Sequence, residues 1–258
     1  MKLARSEMTR YLLRPASVLA FVFLFLLPID TFSAEFRVTP IRLEFDRGVK
    51  SGVIKIINEG DDKLNVQMKA MEWTQDAEGK DQYTDTNDII FFPRIMTIDK
   101  NEERILRAGI KIPAIRQERT YRLFIEEIPN PKKGEGANVA IAIRFGVPIF
   151  SKPVKDEAKG EIEKIDLSKG TLNATVKNRG NAHFIINSID VKGRNAKGGE
   201  IFSKELSGWY LLSGASRVYS TPVPQEVCKD LVKLDVEVKT TRFNLSGKLD
   251  VDQTMCLP

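Results

Sequence analysis

Val139-Ala-Ile-Ala-Ile-Arg-Phe-Gly-Val-Pro-Ile-Phe150 is the stretch on which the fold turns. Val139, Ile141, Ile143, Phe145 and Val147 occupy every second position, and Ala140, Ala142, Arg144, Gly146 and Pro148 stand between them. Side chains of an extended strand alternate between its two faces. The stretch therefore reads as one strand with an apolar row on one face and, apart from Arg144, small residues on the other. At ~3.3 Å per residue, the rungs of that row are about 6.6 Å apart. Pro148 has no N–H and is tolerated mainly on edge strands or at bulges. Such a row has two readings: it lines the strand's own sandwich, or it is offered to another protein, because an open apolar edge recruits further chains.

Outward from this stretch the same style continues. Phe36–Phe45 and Leu64–Trp73 alternate, and Val53–Ile57 is expected to be a short buried run ending in the turn signal Asn58-Glu-Gly-Asp-Asp62. Further strands are expected at Arg94–Ile98, Arg104–Arg107 and Tyr121–Ile128, with residues 74–88 as a polar, exposed hairpin loop. Beyond Pro153, segments at Thr171–Lys177, Ile185–Lys192, Val218–Thr221, Leu231–Lys239 and Gly247–Val251 alternate with turns. No long 3.6-residue period is present. Short strands at regular spacing predict an all-β chain of two sandwiches. The charged, proline-bearing stretch 151–160 marks the boundary, giving domains at 34–153 and 154–258.

The first 33 residues are set aside as an export signal. Lys2, Arg5, Arg10 and Arg14 precede the apolar run Val18–Leu27, and Thr31-Phe-Ser33 places small residues before Ala34. The run is about half the ~20 residues that span a bilayer, so a cleaved signal is expected rather than an anchor. The mature chain is then exported, soluble and without stable membrane insertion. Cys228 and Cys256 meet an oxidising compartment and are expected to form one disulfide.

Composition excludes much chemistry. One His among 258 residues removes any site built on two histidines, and two distant cysteines make no Cys-x-x-Cys motif. A net charge of +5 with interspersed signs is no basis for nucleic-acid binding. His183 sits in a turn entering a strand and reads as structural, and no Gly-x-Ser-x-Gly is present. Glu126 and Glu127 are adjacent on a strand and face opposite sides, so they cannot act as an acid/base pair. No enzyme, metal or cofactor is expected.

Ordered pieces of the chain resemble the periplasmic pilus-assembly chaperones of the chaperone–usher pathway. They are Ile41-Arg-Leu-Glu-Phe-Asp46, Pro93-Arg-Ile-Met-Thr-Ile98 with Glu103-Arg-Ile-Leu-Arg107, Gln117-Glu-Arg-Thr-Tyr-Arg-Leu-Phe-Ile-Glu-Glu-Ile-Pro129, Ala137–Ile143, Lys177-Asn-Arg-Gly-Asn-Ala-His183 and Trp209-Tyr-Leu-Leu-Ser-Gly214. The resemblance implies two immunoglobulin-like sandwiches set at an angle around a cleft. It implies that Val139, Ile141 and Ile143, with Phe145 as a fourth, enter the groove of a pilus subunit as a donated strand. It further implies delivery to an outer-membrane usher and a periplasmic location. An open edge can also pair with a second copy of the free chain, which leaves its oligomeric state open.

Arg42 matches a cleft arginine that grips the subunit's terminal carboxylate, for which its planar fork is suited. The lysine that usually accompanies it is replaced by Pro148, which leaves Arg107 and Arg144 as substitutes to be tested. Glu118 and Lys152 match positions that pair at the domain hinge. The disulfide is expected to staple late strands of the second domain. The competing reading of the chain is a two-sandwich structural or adhesive surface protein.

Overall fold

The computed structural model describes residues 36–129 and 141–257. The signal segment 1–33 and Val139 lie outside the described residues. No helix among the described residues is long and apolar enough to cross a membrane.

The first sandwich is built from β1 (Phe36–Thr39), β2 (Leu43–Phe45), β3 (Ser51–Asn58), β4 (Leu64–Gln75), β5 (Asp81–Asp85), β6 (Ile89–Phe92), β7 (Ile95–Ile98), β8 (Glu103–Ile110), β9 (Arg119–Glu127) and β10 (Arg144–Ser151). One sheet has the order β1-β3-β8-β6. The other has the order β2-β10-β9-β4-β5, with β7 also on β4. The chain changes sheets between β1 and β2, so neighbouring segments serve opposite layers.

Alternation supplies the core. Ile54 and Ile56 of β3, Val66 of β4, Leu106 of β8, Leu123 and Ile125 of β9, and Val147 and Ile149 of β10 are fully enclosed between the sheets. The run Val53–Ile57 is thus not buried on both faces. Val53 and Lys55 point to solvent while their neighbours fill the core.

The second sandwich uses β11 (Gly160–Ser168), β12 (Thr171–Asn178), β13 (Phe184–Arg194), β14 (Glu200–Ser207), β15 (Tyr210–Leu211), β16 (Ser216–Pro222), β17 (Lys233–Thr240) and β18 (Asn244–Asp250). Its sheets are β11-β12-β16 and β14-β13-β17-β18, with β15 on β13. Phe184, Ile189, Val191, Leu234, Val236 and Val238 form its centre.

Cys228 and Cys256 are bonded, with Cα atoms 5.9 Å apart. The bridge joins the helical turn Gln225–Cys228 to the 3-10 turn Gln253–Cys256, so it clips the chain end beside the late strands rather than linking two of them. Closing a loop of 28 residues' separation stabilises by about 3–4 kcal/mol in the chain-entropy model.

Residues 74–88 are not the loop their polarity suggests. β4 continues to Gln75 and β5 returns from Asp81, closed by a short turn in which Asp76 accepts from the Lys80 amide and Gly79 takes φ +78°.

Candidate functional site: an open strand edge beside an interdomain cleft

β10 pairs with β9 along its whole length, from Arg144 opposite Glu126 to Ser151 opposite Arg119. On its other side β2 runs parallel and covers only Ile149–Ser151. Backbone groups alternate sides along a strand. The Lys152 amide donates to the Phe45 carbonyl at 2.8 Å, on the β2 side, and the Glu127 amide donates to the Ile143 carbonyl at 2.9 Å, on the β9 side. Even-numbered residues therefore direct their backbone groups towards β2 or, where β2 has ended, to the open edge. Arg144 and Gly146 lie on that open stretch, and Pro148 presents no N–H there. Among the described residues no strand covers positions 144–148 on this side. β10 is an edge strand for half its length.

The apolar row is graded along this strand. Ile141 precedes β10 and is 81% exposed. Ile143 and Phe145 are half-buried and lean on the core of the first sandwich, and Val147 is wholly inside it. The strand begins at Arg144, later than the alternation predicts. The physical reason lies in the core: its seam is open on this side, so Ile143 and Phe145 form the lip of their own sandwich while Ile141 projects past it.

The opposite face carries charge and aromatics. Arg144 pairs with Glu126 at 2.9 Å and lies 3.8 Å above the Phe124 ring, which meets Tyr83 edge-on. Arg107 is on β8 in the other sheet and is exposed. Neither arginine lies in the cleft, so neither substitutes for the missing lysine there.

The cleft encloses about 300 Å³ and is lined by Arg42, Glu44, Glu118 and Lys152 from the first sandwich and by His183 and Arg242 from the second. Arg42 lies immediately before β2, at the point where the cover of β10 ends. Its Nε is 3.3 Å from Glu44 Oε1, and Lys152 Nζ is 2.5 Å from Glu44 Oε2. The hydrogen bond from Lys152 holds the Glu44 carboxyl below its ordinary range, against the opposing effect of partial burial. Arg42 and Lys152 thus share one carboxylate, whereas across the cleft Arg242 has its own partner in Asp156 at 2.8 Å.

The pairing of Glu118 with Lys152 is corrected. Lys152 reaches Glu44 on the neighbouring strand. Glu118 turns to the second sandwich, where its Oε2 accepts from the His183 backbone amide and lies 2.7 Å from the ring Nδ1. A carboxylate only accepts, so Nδ1 is the nitrogen that carries the proton. The side chain of Glu118 is 2% exposed, and the His183 ring stacks on Phe150 with centroids 3.7 Å apart. His183 is thus structural, a bridge between domains.

Residues 35–156 match the family model described as pili and flagellar-assembly chaperone, PapD N-terminal domain. A curated relative, the chaperone protein FanE of Escherichia coli, is 24% identical over 174 residues, covering 63% of this chain and 70% of FanE. The fold is similar to a chain in the CsuC–CsuE chaperone–tip adhesion subunit pre-assembly complex of Acinetobacter baumannii. There the TM-score is 0.58 and the identity 18%, with 82% of this chain and 98% of that chain covered. A chain in the Salmonella enterica SafA pilin–SafB chaperone complex matches with TM-score 0.53 and 13% identity, over 85% and 98% of the two chains.

Residues 35–156 carry the N-terminal domain of the pilus-assembly chaperones. In this chain the residues singled out from sequence fall into two groups. Arg42, Glu118 and Lys152 meet at the cleft, and Ile141, Ile143 and Phe145 line the adjoining edge. Glu44 and Arg242 escaped sequence reasoning. Glu44 reads as an ordinary polar position of an alternating strand until the parallel register sets it beside β10. The contacts of the 74–88 hairpin with the second domain also went unread. The signal available was the aromatic alternation of Trp73 and Tyr83 on either side of Asp76-Ala-Glu-Gly79.

Proposed function

We propose that this chain is a pilus-assembly chaperone that holds its client in the periplasm by strand donation, then passes it to an outer-membrane usher. The client is a pilus or fimbrial subunit, an incomplete sandwich with an open groove. The open half of β10 supplies the backbone ladder, with the apolar side chains of Ile141, Ile143 and Phe145, and of Val139 ahead of them, entering the groove. The observation that carries this reading is the uncovered edge of β10, which runs from an exposed Ile141 to the cleft where Arg42 and Lys152 share Glu44. Burying a side chain the size of Ile141 contributes up to roughly 1.5–3 kcal/mol, and each ladder hydrogen bond about 0.5–1.5 kcal/mol net.

Arg42 and Lys152, which share Glu44, suit a second carboxylate at the end of that edge. We assign it to the client's chain terminus, with Lys152 standing in for the lysine replaced by Pro148. Other chains can also reach the open edge, so self-association of the free protein belongs to the same reading.

Ile141→Asp is the cleanest test, because Ile141 contributes little to the chaperone's own core. Tagged mature protein is pulled down from periplasmic extract and the partner's intact mass is measured. A stoichiometric partner of subunit size is expected with the native chain and at least tenfold less with Ile141→Asp. Equal recovery with both would sink the donated-strand reading. Recovery of the chain itself in surface fibres would favour the structural-protein reading instead.

A further inference from the structure

The hairpin of β4 and β5 does more than end a sheet. Its tip lies on the second domain. Gln75 Nε2 donates to the Tyr210 carbonyl at 2.9 Å, and the Leu212 amide donates to Gln75 Oε1 at 3.0 Å. One side-chain amide thus grips the backbone of 210–212 at two points, as a neighbouring strand would. Trp209 Nε1–H donates to Asp81 Oδ2 at 3.0 Å, and Arg217 donates to the Gly79 carbonyl at 3.2 Å. Beneath these bonds the Arg122 guanidinium lies 4.1 Å from the Trp73 ring and 5.7 Å from Trp209. Its Nε and Nη2 find no hydrogen-bond partner among the described residues, so aromatic faces receive the cation.

A second attachment exists at Glu118, just before β9, where His183 is held and the Glu118 amide donates to the Asn181 carbonyl at 2.8 Å. Gln75 is on β4, one strand from β9, and Gly79 and Asp81 lie at the turn and on β5, two strands from it, so the hairpin contacts stand about 5–10 Å from the attachment at Glu118 at ~4.8 Å per strand. A single attachment permits rotation about itself, whereas two separated ones fix an angle. We infer that the β4–β5 hairpin is an interdomain strap that sets the angle of the cleft, with Gly79 as the position where it seats. Gly79 is required twice over. Its φ of +78° disfavours other residues, and an added Cβ would lie 2.7 Å from both Arg217 Cβ and the Ser216 carbonyl oxygen. Any side chain there presses the hairpin away from β16.

The test measures interdomain distance in the full mature chain with its disulfide intact. Nitroxides on Lys50→Cys and Lys197→Cys, exposed positions in the two sandwiches, are read by pulsed electron resonance. Gln75→Ala removes the two-point grip, together with the 3.0 Å bond from Gln75 to Asp81 across the hairpin, and leaves the turn residues 76–80 unchanged. Gly79→Asn keeps a residue tolerant of positive φ and adds the Cβ. Lys80→Ala, on the same turn, is the control. A broadened or displaced distance distribution in Gln75→Ala and Gly79→Asn, with Lys80→Ala unchanged, is expected. If Gly79→Asn does not fold, Gln75→Ala decides alone. A native distribution in a folded Gln75→Ala overturns the strap and leaves Glu118, His183 and the Trp73–Phe150–Leu212 cluster as the holders of the angle.

Discussion

From Ile149 to Ser151, β10 is paired on both sides; from Arg144 to Pro148 it is paired by β9 alone. One strand thus serves as interior in its second half and as surface in its first. The difference originates where the chain changes sheets. The parallel register sets Leu43 beside Ile149, so continuing β2 backwards would place Thr39 beside Phe145. Thr39 instead pairs with Lys55 of β3 in the other sheet. The segment that would have covered the first half of β10 is used elsewhere, and an edge is left open by topology rather than by sequence polarity. Folded proteins usually blunt such edges. Here Pro148 marks the boundary between the halves.

The comparison breaks first at Val147. This residue is fully buried where the core begins, and Val147→Asp places an unpaired carboxylate there. A loss of at least about 3–5 kcal/mol is expected, enough to unfold the first sandwich. Urea unfolding of the mature chain checks this, and a native midpoint would mean that the open seam reaches further down β10 than the side-chain burial indicates. Phe145 stands at the lip. Phe145→Ala is expected to cost about 1–3 kcal/mol in the same measurement, below the 3–5 kcal/mol of a fully enclosed Phe. Ile141→Asp belongs at the far end of the gradient, within roughly 0.5 kcal/mol of native, which is why it isolates binding from folding.

Alternation made the strands and the two-layer architecture legible. Two cysteines in a chain expected to be exported made their pairing legible too. The same period could not say where the row of Ile141, Ile143, Phe145 and Val147 passes from exposed to enclosed. All four share one face, and burial there depends on which strand stops covering the edge. The resemblance of the ordered motifs identified the cleft residues but not their partners. Lys152 meets Glu44 because β2 and β10 run parallel in a particular register, a fact of pairing that no local pattern encodes. Glu118 instead meets His183, which lies in the other domain. The strap was misread for a related reason: Asp76, Glu78 and Asp81 look solvated in sequence, and only the domain arrangement shows Gly79 and Gln75 seated on β15 and β16.

The smallest effect probes the seam between the two halves. Glu44 is on β2 and Lys152 follows β10, so their bond helps to pin the short cover strand in place. Lys152 holds the Glu44 carboxyl below its ordinary 4.5 in the folded protein. A carboxyl depressed by folding contributes stability that is present above the unfolded value and lost as pH falls through the lower folded value. Both partners are about one-third or more exposed, so the contribution is at most about 1 kcal/mol. In Lys152→Met, stability at neutral pH is expected to fall by no more than that. The difference from the native chain should shrink as pH drops below 4.5, because the native protein then loses the same interaction. Parallel stability curves for the two proteins through this range would show that Glu44 does not fasten β2 to β10. The backbone bond from Lys152 to Phe45 would then be what ends the open edge.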